Sequence, residues 1–152
     1  MSELYPAIEE LIPHRAPIIC VDEVIWVDEL EATTTYKVKS DSIFISSHSF
    51  SEMGLLENSA QTSFVFLKFF FANSQEDLWG EGKDSVGFIS HISQMETYFL
   101  PQIGEKLITS TQTELVFDSE NLKICNVKAQ TLIHHKTAFE AEMKMILQTR
   151  NL

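Results

Sequence analysis

The sequence predicts an α+β fold in which a curved antiparallel sheet encloses one long buried helix. Residues Ser51–Phe71 have helical length but no wide polar stripe, and a helix that is apolar on all sides must be buried on all sides. Six segments with strand character flank it, two before and four after. Because one helix must be covered on every side, either the sheet curves strongly or a second subunit supplies the remaining cover.

The N-terminal third predicts a short helix and two strands. Apolar residues at helical spacing predict a helix over Tyr5–Ile12, which Pro13 ends. An apolar run follows Pro17 and predicts the first strand, with an acidic turn near Asp28–Glu29. The alternating, β-branched segment Ala32–Lys39 predicts a second strand, antiparallel to the first.

The C-terminal half predicts four consecutive strands. Residues 73–84 contain two glycines and no apolar periodicity, which predicts a loop. Strand-like segments follow at Val86–Leu100, Lys106–Asp118, Leu122–His134 and Thr137–Thr149. In the last of these, apolar and polar residues alternate, so one face should point to the core.

Composition and charge disfavour several classes of protein. A chain of 152 residues with 44% hydrophobic residues is expected to form one domain, over residues 1–152. The net charge of −11 disfavours binding to nucleic acid or anionic membranes. The N-terminus lacks a signal-peptide pattern and the long helix carries charged and amide residues, so we expect a cytoplasmic protein without a membrane span. Cys20 and Cys125 are expected to be buried, reduced thiols. No ligand-spaced cluster predicts a metal, and no cofactor is expected.

The start of the long helix carries the most informative polar residues. Glu57, Asn58 and Gln61 lie in its first turns, within an otherwise apolar segment. A carboxylate in such a place is costly unless it has a partner or a function. Glu57 is therefore a candidate catalytic acid, and the alternative is a glutamate that the helix dipole favours near the N-terminus.

Three segments resemble the hot-dog-fold β-hydroxyacyl-acyl carrier protein dehydratases of fatty acid synthesis. In chain order they are LIPHRAPIICVDEV (11–24), LLENSAQT (55–62) and VGFISHISQMETYFLPQIGEKL (86–107). The resemblance implies the hot-dog fold, a curved antiparallel sheet around one central helix, in a homodimer or a larger homo-oligomer. It also implies a substrate carried as a thioester on acyl carrier protein or coenzyme A.

The resemblance further implies a chemistry and assigns residues to it. In that family a histidine removes the proton next to the thioester carbonyl, and a carboxylate on the central helix acts on the leaving hydroxyl. Backbone N–H groups at the start of the helix stabilise the enolate oxyanion. By position Glu57 corresponds to the carboxylate and His48 to the histidine. Gly54, Gln61 and Asn58 correspond to the oxyanion and substrate-binding positions.

The segment before the helix differs from the family pattern. SSHSFSEMGLLE is several residues shorter than the family's histidine motif and lacks its prolines. An exposed loop histidine is therefore an open alternative for His48. Similarly short loops resemble the divergent dehydratase-like proteins of aryl-polyene and flexirubin pathways, some of which are expected to be inactive subunits. A catalytically degenerate acyl-thioester-binding partner subunit and a hot-dog thioesterase thus remain alternatives to a dehydratase.

The other histidines and the basic residues have weaker signals. His14, in the PHR segment, is interpreted as structural, and His91 as an ordinary strand residue. Acyl carrier proteins are acidic, so docking one would require a basic patch. Such a patch would have to be formed from Arg15, Lys68, Lys83, Lys123 and Lys128.

Overall fold

The computed structural model of this chain describes residues 4–72, 78 and 83–151. Its elements in chain order are α1 (Ile8–Leu11), β1 (Glu23–Val27), β2 (Glu31–Lys37), β3 (Ile45–Ser46), β4 (Ser49–Phe50), α2 (Glu52–Phe70), β5 (Lys83–Thr97), β6 (Lys106–Asp118), β7 (Leu122–Ile133) and β8 (Lys136–Asn151).

Six strands form one antiparallel sheet in the order β1-β2-β6-β7-β8-β5. The helix α2 contacts every one of these strands. A straight helix can touch all six strands only if the sheet curves around it, so the predicted α+β architecture is confirmed.

Burial of α2 follows from its sequence. Every residue from Gly54 to Leu67 is buried except Glu57. The helix begins after Ser51, whose side-chain oxygen accepts a hydrogen bond from the backbone N–H of Gly54 at 3.3 Å, a standard N-cap. Burial of one Phe or Leu side chain contributes roughly 1.5–3 kcal/mol, so this helix supplies a large part of the core.

The first strand is shorter than predicted. It begins at Glu23, whereas the apolar run begins at Ile18. The reason lies in α2: Gln61 and Asn58 hydrogen-bond the backbone of Cys20, and Gln61 also bonds the carbonyl of Ile18. The backbone polar groups of this segment are therefore hydrogen-bonded by side chains of the helix and do not require a neighbouring strand.

The N-terminal helix α1 is also shorter than the predicted Tyr5–Ile12.

A small hairpin, β3–β4, was not predicted. Its two-residue turn is Ser47–His48, and both residues have positive φ, 50° and 67°. Tight hairpin turns of this kind favour Gly and Asn. Neither residue type occurs in the turn, so the usual sequence signal is missing.

Strand β5 forms one edge of the sheet. It begins at Lys83, inside the segment that was predicted as a loop; the other predicted loop positions 73–77 and 79–82 lie outside the described residues. Among the described strands β5 pairs only with β8. In β8 the predicted alternation is confirmed, since Phe139, Ala141, Met143 and Met145 are all buried.

Substitution of Gly87 tests how closely β5 packs on α2. A Cβ atom at Gly87 would lie 1.8 Å from Cζ of Phe64, so either the ring or the strand must move. We expect Gly87→Ala to lower the free energy of unfolding by about 1–3 kcal/mol, measured by denaturant titration. Ser90→Ala, at an exposed position of the same strand, should change it by less than about 0.5 kcal/mol. Equal effects of the two variants would contradict this packing.

Candidate functional site

The site is built around Glu57, which keeps access to solvent within the otherwise buried stretch Gly54–Leu67 of α2. Its side chain is 27% exposed, while its neighbours Leu56 and Asn58 are buried. Oε1 accepts a hydrogen bond from Nε2 of Gln61, one turn further along α2, at 2.8 Å. Oε2 receives no hydrogen bond from any residue that the structure describes. One carboxylate oxygen is therefore held, and the other is available to a ligand.

Gln61 is fixed by three contacts. Its Nε2 donates to Glu57 and to the carbonyl of Ile18 at 3.1 Å, and its Oε1 accepts from the backbone N–H of Cys20 at 2.9 Å. The side chain is fully buried. Because both ends of the amide are engaged, Gln61 orients Glu57 with little freedom of its own.

Asn58 ties the same segment to the sheet. Its Nδ2 donates to the carbonyl of Cys20 at 2.7 Å, and its Oδ1 accepts from the hydroxyl of Thr109 at 2.6 Å. Thr109 in turn lies 2.9 Å from the hydroxyl of Thr131. Asn58 is fully buried. The sequence placed it among the substrate-binding residues; in this arrangement a substrate could use its amide only by displacing one of these bonds.

A histidine also lies next to Glu57, and it is His14. Its Nε2 is 3.8 Å from Oε1 of Glu57, and its ring meets the Phe64 ring edge to face at 5.0 Å between centroids. Burial lowers the pKa of His14, an effect that the Glu57 carboxylate opposes and the Arg15 cation reinforces. A neutral imidazole thus stands beside the carboxylate.

The segment that carries His14 is held by its neighbour. Arg15 donates to the backbone carbonyls of Glu9, Ile12 and His14 at 2.7–2.9 Å. Arg15 therefore fixes the loop before β1.

His48, the predicted base, lies elsewhere. It occupies the exposed turn between β3 and β4, where its carbonyl accepts a hydrogen bond from the N–H of Ile103 at 3.4 Å. Within the described chain its side chain makes no ion pair or hydrogen bond with Glu57. A role as base would require this turn to reach a Glu57 carboxylate in the same or another copy of the protein.

Gly54 serves the packing of the helix start. Its N–H, the expected oxyanion donor, donates to the Ser51 side chain. A Cβ at this position would lie 2.6 Å from the Phe50 ring and 2.7 Å from Phe44. Glycine is thus required here by close contact, and the N–H could serve a substrate only if Ser51 released it.

The thiol of Cys20 has low reactivity. Burial raises the pKa of its thiol well above the ordinary value, and the negative charge of Glu57 adds to the effect. Since the thiolate is the reactive form, Cys20 acts through its backbone, which Asn58 and Gln61 bind. Both Cys20 and Cys125 are free and buried, as predicted.

The basic residues do not all remain available for docking. Lys123 is buried, with its Nζ 2.5 Å from Oδ1 of Asp118, and Nζ of Lys128 lies 3.8 Å from Oε1 of Glu142.

Among the described residues no three His, Cys, Asp or Glu side chains converge as ligands for a metal ion. None of the helices in the described part of the chain has the length and apolar composition to cross a bilayer.

The comparisons with known proteins agree with this architecture. Residues 6–80 match the ApeP-like family, described as ApeP dehydratase. No curated protein matches the chain. The fold is similar to a solved structure from Xenorhabdus doucetiae, the dehydratase heterocomplex ApeI:P, with a TM-score of 0.75 and 17% identity, covering 97% of this chain and 93% of that one.

Two further solved structures share the hot-dog fold. The Escherichia coli PaaI protein from the phenylacetic acid degradation operon is 15% identical, with a TM-score of 0.52 and coverage of 81% of this chain and 80% of that one. A hypothetical thioesterase protein with coenzyme A from Streptococcus pneumoniae TIGR4 is 12% identical, with a TM-score of 0.52 and coverage of 86% and 88%. At these identities the likeness concerns the fold, which the sequence analysis predicted correctly.

The amide network next to Glu57 can be tested by its contribution to stability. In a buried site, Asn58→Ala would remove the amide donor to the Cys20 carbonyl and would leave the Thr109 hydroxyl with Thr131 as its remaining partner. We expect the free energy of unfolding to fall by about 2–4 kcal/mol, measured by chemical denaturation. Ser59→Ala is a matched control, because the buried Ser59 bonds only its own helix backbone, and it should cost less than about 1 kcal/mol. A loss for Asn58→Ala no larger than the control's would contradict the network.

Proposed function

We propose that this chain is a dehydratase-like protein acting on 3-hydroxyacyl thioesters, because its residues 6–80 match the ApeP-like family, described as ApeP dehydratase. It eliminates water to give a trans-2-enoyl thioester, in the biosynthesis of fatty acids or polyenes. The observation that carries the proposal is the carboxylate of Glu57, oriented through Oε1 by Gln61 and open at Oε2.

The proposed reaction breaks one carbon–hydrogen bond and one carbon–oxygen bond, and the electron pair of the carbon–hydrogen bond forms the carbon–carbon double bond of the enoyl product. A base takes the proton from the carbon next to the thioester carbonyl, and the hydroxyl leaves from the adjacent carbon. Glu57, protonated at Oε2, gives its proton to that hydroxyl, which departs as water. The base then returns a proton to Glu57, so the protein ends as it began.

His48 remains the proposed base, and its position favours an oligomeric site. The side chain is exposed on the β3–β4 turn, where it is free to face a second copy. A homodimer or larger assembly in which this turn closes over a Glu57 carboxylate would bring acid and base together.

The exposed edge of the sheet supports such an oligomer. Strand β5 exposes large apolar side chains along its length, at Val86, Phe88, Ile92 and Met95, and its outer edge pairs with no described strand. Unpaired apolar edges are usually covered in native proteins. We propose that another hot-dog subunit covers β5.

A second candidate function is a non-catalytic subunit. Among the described residues of one chain, the His48 side chain makes no hydrogen bond or ion pair with Glu57, and the similar structure from Xenorhabdus doucetiae is the dehydratase heterocomplex ApeI:P. In this alternative the chain binds the acyl thioester or its partner and leaves the proton transfers to the other subunit. The carrier, acyl carrier protein or coenzyme A, belongs to the proposal in both cases.

Glu57→Gln tests the proposed catalytic acid. Glutamine keeps the size of the side chain and an oxygen for Gln61, but it cannot transfer a proton. We expect the rate of enoyl product formation from 3-hydroxyacyl thioesters to fall by roughly 10²–10⁴-fold, measured by product analysis with acyl carrier protein and coenzyme A substrates. Glu52→Gln, at an exposed position in the first turn of the same helix, should retain full activity.

Three outcomes separate the candidate functions. Turnover by the chain alone that is lost in Glu57→Gln supports the dehydratase. No turnover alone, together with stimulation of a second hot-dog subunit that survives Glu57→Gln, supports the non-catalytic subunit. Release of free thiol from acyl-coenzyme A without enoyl product would support a thioesterase and overturn the main proposal.

The β5 edge is tested by charge. We expect Ile92→Lys with Met95→Lys to convert the oligomer to a monomer in sedimentation velocity, because two buried ammonium groups would oppose association. Leu30→Lys, at the exposed turn near the opposite edge of the sheet, is the control and should keep the oligomer. An unchanged sedimentation coefficient in the β5 variant would exclude this edge as the interface.

A further inference from the structure

Two side chains lie close to the same carboxylate oxygen of Glu57. Nε2 of Gln61 donates to Oε1 at 2.8 Å, and Nε2 of His14 lies 3.8 Å from the same atom. The two come from opposite parts of the site, Gln61 from α2 and His14 from the loop before β1. Their convergence on Oε1 makes the two carboxylate oxygens different before any ligand arrives.

The surroundings of His14 fix which nitrogen carries the proton. Nδ1 is buried and has no hydrogen-bond partner among the described residues. A proton there would be a buried donor without an acceptor, and the unprotonated Nε2 would set its lone pair against a carboxylate oxygen. The neutral ring therefore carries its proton on Nε2, directed at Glu57.

The ring is held by packing and by its backbone. The Phe64 ring supports it from α2, and Arg15 binds the backbone carbonyls of Glu9, Ile12 and His14. The separation of 3.8 Å is longer than a hydrogen bond, so a hydrogen bond from Nε2 to Oε1 would require a small rotation of the ring or one bridging water.

We propose that His14 is a positioning residue that, together with Gln61, holds Oε1 of Glu57 and so directs Oε2 to the hydroxyl of the substrate. This inference rests on the proposed function, because it assigns Oε2 its task in that reaction. In this proposal His14 acts through Glu57, because its Nδ1 is buried and its Nε2 lies 3.8 Å from Oε1.

The charge state of His14 matters for this role. The groups that act on it are Glu57 on α2 and Arg15 beside it; the nearby Cys20 thiol stays neutral because burial raises its pKa. A neutral His14 can donate one N–H to Oε1 of Glu57. A protonated His14 would instead pair with a negatively charged Glu57, whereas the proposed reaction starts from a protonated Glu57.

Kinetics of two His14 variants test the proposal. His14→Ala should lower kcat by roughly 10–100-fold and change KM by less than about threefold, because a misdirected acid weakens the transition state more than binding. His14→Gln, which supplies a neutral amide N–H, should recover most of kcat. In wild type the activity should fall in acid as His14 becomes protonated, and in His14→Gln this fall should move to lower pH.

A matched control removes a histidine elsewhere. His135 lies in an exposed turn with a φ of 64°, a conformation that Asn tolerates, so His135→Asn should leave kcat and its pH dependence unchanged. Full activity of His14→Ala would overturn the proposal. Equal loss in His14→Ala and His14→Gln, with both proteins folded, would also overturn it, because that result indicates packing alone.

A readout without turnover separates this proposal from the proposed function. In nitrogen-15 NMR of the full chain, His14 should show the Nε2–H tautomer. Glu57→Gln should lower the pKa of His14, because it removes the negative charge that raises it. An Nδ1–H tautomer or an unchanged pKa would overturn the role of His14, whereas a wild-type protein that shows the expected NMR behaviour but no turnover would overturn only the dehydratase activity.

Discussion

The buried amides of α2 are the constraint on which the site depends. Asn58 and Gln61 bind the backbone on both sides of Cys20, and Asn58 also reaches Thr109 in the sheet. A helix that is buried on all sides can carry such groups only if each is satisfied, because an unpaired buried polar group costs about 1–3 kcal/mol. The amides therefore fix the loop before β1 against the helix. That loop supplies His14, so the same bonds that stabilise the fold also assemble the site.

The carboxylate of Glu57 owes its availability to this arrangement. Its neighbours on the helix are enclosed, and it alone between Gly54 and Leu67 retains exposure. Gln61 and His14 approach one oxygen and leave the other open. A carboxylate held in this asymmetric way can present one defined oxygen to a ligand, whereas a freely rotating side chain at a helix start could not.

The sheet encloses α2 but leaves an unpaired edge strand and an exposed turn at its surface. Strands β1 and β5 are the two edges of the sheet and each pairs on one side among the described strands, and β5 exposes large apolar residues along its length. His48 is likewise presented on an exposed turn. These two features support the proposal that the site becomes complete when subunits associate.

The sequence by itself determined the order of the main elements, the buried helix and the pairing of Glu57 with Gln61. These are local properties: apolar periodicity marks helices and strands, and residues four apart on a helix face each other. Only the tertiary structure decided that the backbone of the segment after Pro17 hydrogen-bonds to side chains of α2. It also decided that His14 lies next to Glu57. The spacing of 43 residues between His14 and Glu57 carries no local signal. Their contact exists because buried amides must find partners across the fold, and the segment that they bind brings the histidine with it.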